Sequence, residues 1–349
     1  MIRTFFSFLL FLVLICALFF FLREIRELNG GFRVGKVLLN LDLKEESMYT
    51  KNLENRFLKL RENPRGWKIV NDPILMKYGV VCDLPSPSFW HVPETDFPSS
   101  LCIEPSNEIL SILHQPFVYL DQGCQSYVFQ SQDGQYVLKL VRTARFHPPF
   151  WMGFVPLTEV QKERFSKGRK KNLVNSLRSY EIALSCLQKE TQVLYAHLQE
   201  TEHLPAVRLK NGLLQTIELD LNRVGFLLQK KVIPMKKALL EKKKDPKAKR
   251  EIVASFVQLV SSMQNKKIRN RDYNCVKNAG VVGTKAMFLD AGSFAFEEKE
   301  LSFSEYEERM RHFLRHFYRF AKRHDPELIN CLDQEIAKRL EEKKRALER

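Results

Sequence analysis

The most hydrophobic stretch of the chain lies at its N-terminus. From Phe5 to Leu22 the sequence reads FFSFLLFLVLICALFFFL, with Ser7 as its one clearly polar side chain and no charge. A helix rises about 1.5 Å per residue, so a run of this length, extended by a residue or two, crosses a hydrocarbon core of roughly 30 Å. The pattern therefore predicts a transmembrane anchor within residues 1–27.

A cleaved signal peptide is the alternative interpretation of this run. A signal peptide has a shorter apolar core followed by small residues of the A-x-A type, whereas Leu22 is followed directly by REIRE. Four basic residues lie between residues 23 and 36, against only Arg3 before the run, which favours a cytoplasmic location for the remaining chain. Seven scattered cysteines without a CxxC pair also suit a reducing compartment.

Short β-type runs begin at Phe117. The segments FVYLD, SYVFQSQ and QYVLKLV are rich in Val, Tyr, Phe and Leu, and Asp133-Gly134 is a hairpin signal between the last two. A helical pattern follows over residues 172–188, and PAVRL, LLQTIEL and VGFLLQKKV predict two or three further strands. We therefore expect an N-terminal lobe over residues 116–235, with an antiparallel sheet and one helix.

Beyond residue 235 the pattern becomes mainly helical. Residues 236–266 have a helical pattern that the charged stretch EKKKDPKAKR interrupts, and two more helical patterns end the chain. We expect a small helical lobe over residues 236–349, so that the predicted fold class is α+β. Residues 28–115 form an extension whose role the sequence does not assign; the proline-rich part of it, residues 72–108, predicts irregular coil.

The formal net charge of +15 indicates an anionic partner. Behind a membrane anchor, an acidic lipid surface accounts for it, and the absence of zinc-finger spacing or an RNP-like strand argues against a nucleic-acid partner. An insertion at residues 142–172 combines aromatic and basic side chains, as membrane interfaces do. Its residues of these kinds are Phe146, Phe150, Trp151, Phe154, Arg142, Arg145 and the cluster Lys167–Lys171. The alternative is that the aromatic side chains pack on the lobe beneath a solvated basic flap.

A glycine-containing turn precedes a lysine in an apolar strand. The turn reads Asp121-x-Gly123-x-x-Ser126-x-Val128, and Lys139 stands in the strand YVLKL. Small residues let backbone N–H groups approach phosphate oxygens, and a lysine among apolar neighbours is unusual unless its ammonium has a partner. A plain β-turn and a solvent-facing lysine are the alternatives.

Two aspartates form the most specific pattern of the chain. Asp272 stands in the triplet NRD, and Asp290 follows eighteen residues later in the triplet DAG, at the end of the apolar run AMFLD. Two asparagines, Asn274 and Asn278, lie between them.

Over roughly residues 117–296, these motifs resemble those of the protein-kinase-like superfamily, and they are similar to small bacterial kinases of the lipopolysaccharide-kinase type. The turn corresponds to the GxGxxGxV loop, the strand lysine to the VAIK lysine, NRD to HRD, and DAG to DFG. The resemblance implies ATP and Mg²⁺ as cofactors and a hydroxyl of a lipid, saccharide or protein as acceptor.

The resemblance also implies a role for each matching residue. It implies nucleotide binding by Gly123, Ser126, Val128 and Lys139, proton acceptance by Asp272, and metal binding by Asp290 and Asn278. Asn278 lies one residue later than the family spacing, so Asn274 is the alternative. Glu181, in the middle of the predicted helix, is our candidate to hold Lys139, with Glu190 at the end of that helix as the alternative.

The chain departs from the family pattern in four ways. Only the middle glycine of the loop is kept, the histidine of HRD is Asn270, the phenylalanine of DFG is Ala291, and no APE motif follows. The lead hypothesis is a membrane-anchored phosphotransferase. A pseudokinase that acts as a membrane-tethered scaffold is the runner-up, and a non-kinase structural membrane protein is the third hypothesis.

Two features of the C-terminal helices have a simpler interpretation than function. His312 and His316 have the spacing of a two-histidine metal site, but the apolar stripe of their helix indicates core packing with histidines on its flank. The stripe consists of Tyr306, Met310, Phe313, Phe317 and Phe320. The final helix, EIAKRLEEKKRALER, is interpreted as a solvated end or a partner-binding tail.

Overall fold

The computed structural model describes residues 67–70, 104–142, 158–198, 201–210, 216–242 and 245–348. The predicted anchor, Phe5–Leu22, lies outside these residues, and so do the four aromatic residues of the insertion. Within the described ranges, no helix has both the length and the apolar character needed to span a bilayer. The chain divides into two compact units, the first made of residues 1–91, 104–162 and 199–226 and the second of residues 92–103, 163–198 and 227–349.

The described strands and helices are as follows. The strands are β1 (Trp67–Val70), β2 (Phe117–Gln122), β3 (Ser126–Ser131), β4 (Tyr136–Val141), β5 (Val193–His197), β6 (Ala206–Lys210), β7 (Thr216–Asp220), β8 (Phe226–Lys230), β9 (Ile233–Pro234), β10 (Ile268–Asn270), β11 (Ala279–Val282), β12 (Lys285–Phe288) and β13 (Phe294–Phe296). The α-helices are α1 (Asn107–Leu113), α2 (Glu159–Ser185), α3 (Gln188–Thr191), α4 (Met235–Glu241), α5 (Pro246–Asn265), α6 (Phe303–His324) and α7 (Glu327–Leu347). This composition is that of an α+β fold.

The first unit is built on a sheet with the strand order β1-β7-β6-β2-β3-β4. The prediction of an antiparallel sheet was wrong at one place, because β2 and β6 run parallel, with Phe117 opposite Leu209. The hairpin β6–β7 joins the sheet at the edge formed by β2, and the long chain between β2 and β6 allows the parallel pairing. The extension contributes β1, which pairs antiparallel with β7.

The hairpin predicted at Asp133-Gly134 is confirmed. Gly134 has a φ of +72°, a left-handed conformation that favours glycine, and β3 pairs antiparallel with β4 on either side of the turn. The Ser131 hydroxyl donates to Asp133 Oδ1 at 2.6 Å and accepts from the Tyr136 backbone N–H at 3.0 Å. The turn therefore fixes the register of β4, the strand that carries Lys139.

The second unit packs its helices on short strands. Helix α5 contacts β10 and β12 as well as α6 and α7, and it buries an apolar face that includes Ile252, Val253 and Phe256. Its N-cap is Asp245, whose side chain accepts from the Ala248 backbone N–H at 2.9 Å. This cap ends the interruption between α4 and α5, so the predicted broken helix is confirmed.

Two elements around residue 172 differ from their prediction. Helix α2 begins at Glu159 rather than at Asn172, so the last part of the insertion is helical. The start of this helix is rich in basic residues and has no apolar stripe by which the sequence could reveal it. Strand β5 was not predicted, since a short buried run such as VLYAH has no distinctive periodicity.

The apolar stripe of α6 is confirmed as core packing. Tyr306, Met310, Phe313 and Phe317 are buried, and Phe320 is half-buried. His312 lies exposed on the flank of the helix. Among the residues that the structure describes, no cluster of three or more His, Cys, Asp or Glu side chains could hold a metal ion.

The interpretation of the final helix as a solvated end is confirmed only beyond Leu340, where residues 341–348 are exposed or half-buried. Helix α7 begins at Glu327 and buries Leu328, Leu332, Ile336 and Leu340 along one face, which packs against α5 and α6. The apolar side chains recur every four residues, and the many charges between them obscure this period. The helix is part of the core of the second unit.

We expect Leu332→Ala to lower the free energy of unfolding by about 2–5 kcal/mol, because Leu332 is fully buried and its loss leaves a cavity. Leu347→Ala is the matched control on the same helix. That side chain is exposed, so its loss should change stability by less than about 0.5 kcal/mol. Urea unfolding of the two variants measures the difference, and equal effects would show that α7 does not pack as described.

Candidate active site

A pair of short strands brings the two aspartate-containing segments together. Strand β10 pairs antiparallel with β13, with Asn270 opposite Phe294. Beyond the strands the pairing continues, because the Arg271 backbone N–H donates to the Ser293 carbonyl at 2.8 Å. Asp272 follows β10 and Asp290 precedes β13, so both carboxylates lie at the same end of this ladder.

Asp272 is held by two successive side-chain-to-backbone hydrogen bonds. The Asn270 Oδ1 accepts from the Asp272 backbone N–H at 2.9 Å, and the Asp272 Oδ1 accepts from the Asn274 backbone N–H at 2.9 Å. Asn270 is buried, whereas Asp272 is half-buried and can be reached from solvent. Asn270 therefore fixes the start of the loop.

The structure distinguishes the two asparagines considered for the metal. The backbone carbonyl of Asn278 accepts from the backbone N–H groups of Leu289, at 2.7 Å, and Asp290, at 3.3 Å. Asn278 is thus tied directly to Asp290, whereas Asn274 is tied through its N–H to Asp272. Of the two, Asn278 is the one that the backbone holds beside Asp290.

The loop from Asp290 to Phe294 is anchored at every residue. The Asp290 Oδ1 accepts from the Gly292 N–H at 3.0 Å, and the Ser293 carbonyl accepts from Arg271. At the remaining two positions, the Ser179 hydroxyl of α2 donates to the Ala291 carbonyl and accepts from the Phe294 N–H, both at 2.5 Å. Sequence reasoning missed Ser179, since a serine within a helix carries no local signal of a contact more than a hundred residues away.

The residue before Asp272 also contacts the neighbouring strand. The guanidinium of Arg271 donates to the Phe294 carbonyl at 3.4 Å. Partial burial, followed by the charge of Arg269, lowers the pKa of Arg271 below its usual value. Arg271 therefore ties the start of the loop to β13 through its side chain as well as its backbone.

Lys139 is buried in the first unit, with 8% of its surface exposed. It stands opposite Val128 in the β3–β4 ladder, between the fully buried Leu138 and Leu140. The interpretation of Lys139 as a solvent-facing residue was therefore wrong. A lysine is almost never buried in this way unless its ammonium is paired, so we expect the Lys139 ammonium to have a charged partner.

The turn between β2 and β3 is short and closed. The Gly123 N–H donates to the Ser126 carbonyl at 2.8 Å, and the Arg142 guanidinium donates to the Gly123 carbonyl at 2.8 Å. The same guanidinium lies 4.8 Å from the centre of the Tyr127 ring. Arg142 was grouped with the insertion at residues 142–172, and these contacts show that it also holds the turn. Asp121 is exposed at the start of the turn.

Glycine at position 123 is not required by the turn itself. Its φ lies outside the left-handed region, and an added Cβ would have ordinary contacts of 3.7 Å or more. The structure therefore has room for a side chain at this position.

The two glutamates considered as partners of Lys139 lie in different surroundings. Glu190 is buried in the second unit, where its Oε1 accepts from Ser262 at 2.9 Å and from the Lys266 ammonium at 2.6 Å. That ion pair gives Glu190 a structural role. Glu181 is half-buried on α2 and, two positions after Ser179, lies about 200° away around the helix. Its role as the partner of Lys139 stays a prediction.

The sequence matches no protein-family model and no curated protein. Among solved structures, a 2.2 Å crystal structure of WbdD is similar at 15% identity and a TM-score of 0.34, covering 59% of this chain and 39% of WbdD. A structure of WbdD described as a bifunctional kinase-methyltransferase is similar at 11% identity and a TM-score of 0.32, over 55% of this chain and 34% of WbdD.

The ROP18 kinase domain, in complex with AMP-PNP and sucrose, is similar at 14% identity and a TM-score of 0.30, over 53% of this chain and 52% of that domain. The chain thus spans well under two thirds of the length of each of these proteins. All three are distant, so the functional proposal rests on the residues of this chain.

We expect Asn270→Ala to lower the free energy of unfolding by about 1–3 kcal/mol, because it leaves the Asp272 N–H without its acceptor beside a buried strand. Asn274→Ala makes the same chemical change at an exposed position that uses only its backbone, and should cost less than about 0.5 kcal/mol. Urea unfolding compares them. An Asn270→Ala variant with an unchanged free energy of unfolding would contradict the described arrangement of the loop.

Proposed function

We propose that this protein is a kinase-like phosphotransferase that transfers a phosphoryl group from Mg-ATP to a hydroxyl acceptor on a lipid, saccharide or protein. The observation that supports it best is the pairing of β10 with β13, which holds Asp272 and Asp290 at one end of a ladder, with Asn278 bonded to Asp290. A base and an oxygen-rich metal site on neighbouring segments are what this reaction needs.

The residues present suit Mg²⁺. This ion is usually held in proteins by one or two carboxylates together with substrate phosphates and water, so a large cluster of acidic residues is not needed. Asp290 is half-buried, and its Oδ1 already accepts from the Gly292 N–H, which fixes the direction of the carboxylate. The backbone carbonyl of Asn278 already accepts hydrogen bonds from the N–H groups of Leu289 and Asp290. The side-chain amide oxygen of Asn278 is therefore the group proposed to bind the metal.

Each proposed residue has one task. Bound Mg-ATP would supply the phosphoryl group and a positive charge that stabilises the transferring phosphate. Asp272 would accept the proton of the acceptor hydroxyl while the oxygen of that hydroxyl forms its bond to phosphorus and ADP leaves. Lys139 would bind phosphate oxygens, with Glu181 holding its ammonium. Gly123, Ser126 and Val128 would border the nucleotide.

A pseudokinase with the same fold is the second candidate. The Gly123 N–H is already bonded to the Ser126 carbonyl, so this N–H is not available to a phosphate while the turn stays closed. Asp121, exposed beside the turn, adds a negative charge that repels phosphate. Both features would weaken phosphate binding, so they favour a pseudokinase over an active enzyme; its role as a membrane-tethered scaffold would rest on the predicted anchor.

The proposed location is a membrane with the folded part in the cytoplasm. The apolar run Phe5–Leu22 and the basic residues that follow it support this proposal. An acceptor at the membrane surface would then be held near the active site by the anchor alone.

The test compares wild type, Asp272→Asn and Asp290→Asn in full-length protein reconstituted in vesicles. We expect ATP with Mg²⁺, at about 100 times its dissociation constant, to stabilise wild type by about 2.7 kcal/mol in thermal unfolding. Asp290→Asn should lose this gain because the metal ligand is weakened. Asp272→Asn should keep the gain, yet lose transfer about 10²-fold to 10⁴-fold because the base is removed.

To follow transfer, the vesicles receive membranes as a source of acceptor and ATP that is labelled in its γ-phosphate. The label is then measured in the lipid, saccharide and protein fractions. Label in any fraction that disappears in Asp272→Asn supports the phosphotransferase. Stabilisation by ATP without label in any fraction favours the pseudokinase. Folded wild type that ATP does not stabilise contradicts the phosphotransferase and leaves a scaffold without nucleotide or a structural protein.

A further inference from the structure

We propose that Ser179 is a positioning residue of the metal site, whose hydroxyl holds the loop that carries Asp290 in the geometry that metal binding needs. This inference rests on the proposed function and names a residue that supports its metal site. Ser179 and the loop it contacts both lie in the second unit. Its side chain is fully buried.

The hydroxyl of Ser179 spans the loop. It donates to the carbonyl of Ala291, the residue after Asp290, and accepts from the N–H of Phe294, the first residue of β13. One donor and one acceptor on the same oxygen thus hold both sides of the turn that follows the metal ligand. Ala291 and Phe294 are themselves buried, so no water replaces these bonds at low cost.

The contact is not the usual one for a helical serine. A serine within a helix commonly donates to the carbonyl four residues earlier, as Ser176 does toward Asn172 at 3.0 Å. The two serines share a helix, a residue type and burial, with 4% of Ser176 exposed. Only Ser179 uses its hydroxyl for the loop, and Ser176 is therefore a matched control.

The remaining anchors of the loop do not replace Ser179. The Asp290 Oδ1 to Gly292 bond is internal to the loop, and the Arg271 to Ser293 bond ties the loop to β10. Ser179 thus links this loop to α2. Loss of its hydroxyl would release Ala291 and Phe294, and so change the direction of the Asp290 carboxylate. Groups that orient a metal ligand in this way typically affect metal affinity about 10-fold to 100-fold.

The experiment measures metal binding rather than turnover. Full-length protein with bound ATP is titrated with Mn²⁺ in place of Mg²⁺. Electron paramagnetic resonance measures the concentration of free Mn²⁺ at each addition. We expect Ser179→Ala to weaken Mn²⁺ binding at least about 10-fold. Ser176→Ala should bind as wild type does, and Ser179→Thr, which keeps the hydroxyl, should recover most of the affinity.

Three results separate the possible errors. Equal Mn²⁺ affinity in wild type and Ser179→Ala, or an equal loss in Ser176→Ala, would overturn the role of Ser179. Wild type that binds no Mn²⁺ with ATP would overturn the proposed function, and this inference with it. If Ser179→Ala does not fold, Ser179→Cys, whose thiol is a weaker donor and acceptor, takes its place with the same expected direction.

Discussion

The arrangement of the candidate site depends on the antiparallel pairing of β10 with β13. These strands have three residues each, and with so few ladder bonds an isolated pair would be marginal in water. The pairing persists because Ile268 and Phe294 are buried, α5 packs on β10, and the Arg271 to Ser293 bond extends the ladder. Without this pairing, Asp272 and Asp290 would be two loop residues with no fixed relation.

Backbone groups do most of the positioning around this pair. Asn270, Asp272 and Asp290 each use a side-chain oxygen to accept a nearby N–H, which fixes the loops without covering the carboxylates. Ser179 adds the link to α2. Local contacts also fix the candidate residues of the first unit. The Gly123 turn is closed by its own backbone and by Arg142, and Lys139 is buried between its strand neighbours.

The sequence was most informative where chemistry and spacing coincide. The spacing of Asp272 and Asp290 pointed to the segments around β10 and β13, which the structure pairs in the second unit. The apolar surroundings of Lys139 pointed to the strand in which the structure buries it, in the first unit. Several of the misses concern contacts between residues distant in sequence. The parallel pairing of β2 with β6 and the Ser179 contact leave no local pattern, and the pairing of Glu190 with Lys266 is equally invisible. Charged residues likewise masked the apolar face of α7.

The central claim is that Asp290 and Asn278 hold a metal ion together with a nucleotide. The most direct measurement is a crystal structure of the protein with a non-hydrolysable ATP analogue and Mn²⁺, in which anomalous scattering locates the metal. The account predicts a single strong peak within about 2.0–2.3 Å of an Asp290 oxygen, with the Asn278 side chain as a second ligand. An ordered nucleotide whose metal lies away from Asp290 would contradict it.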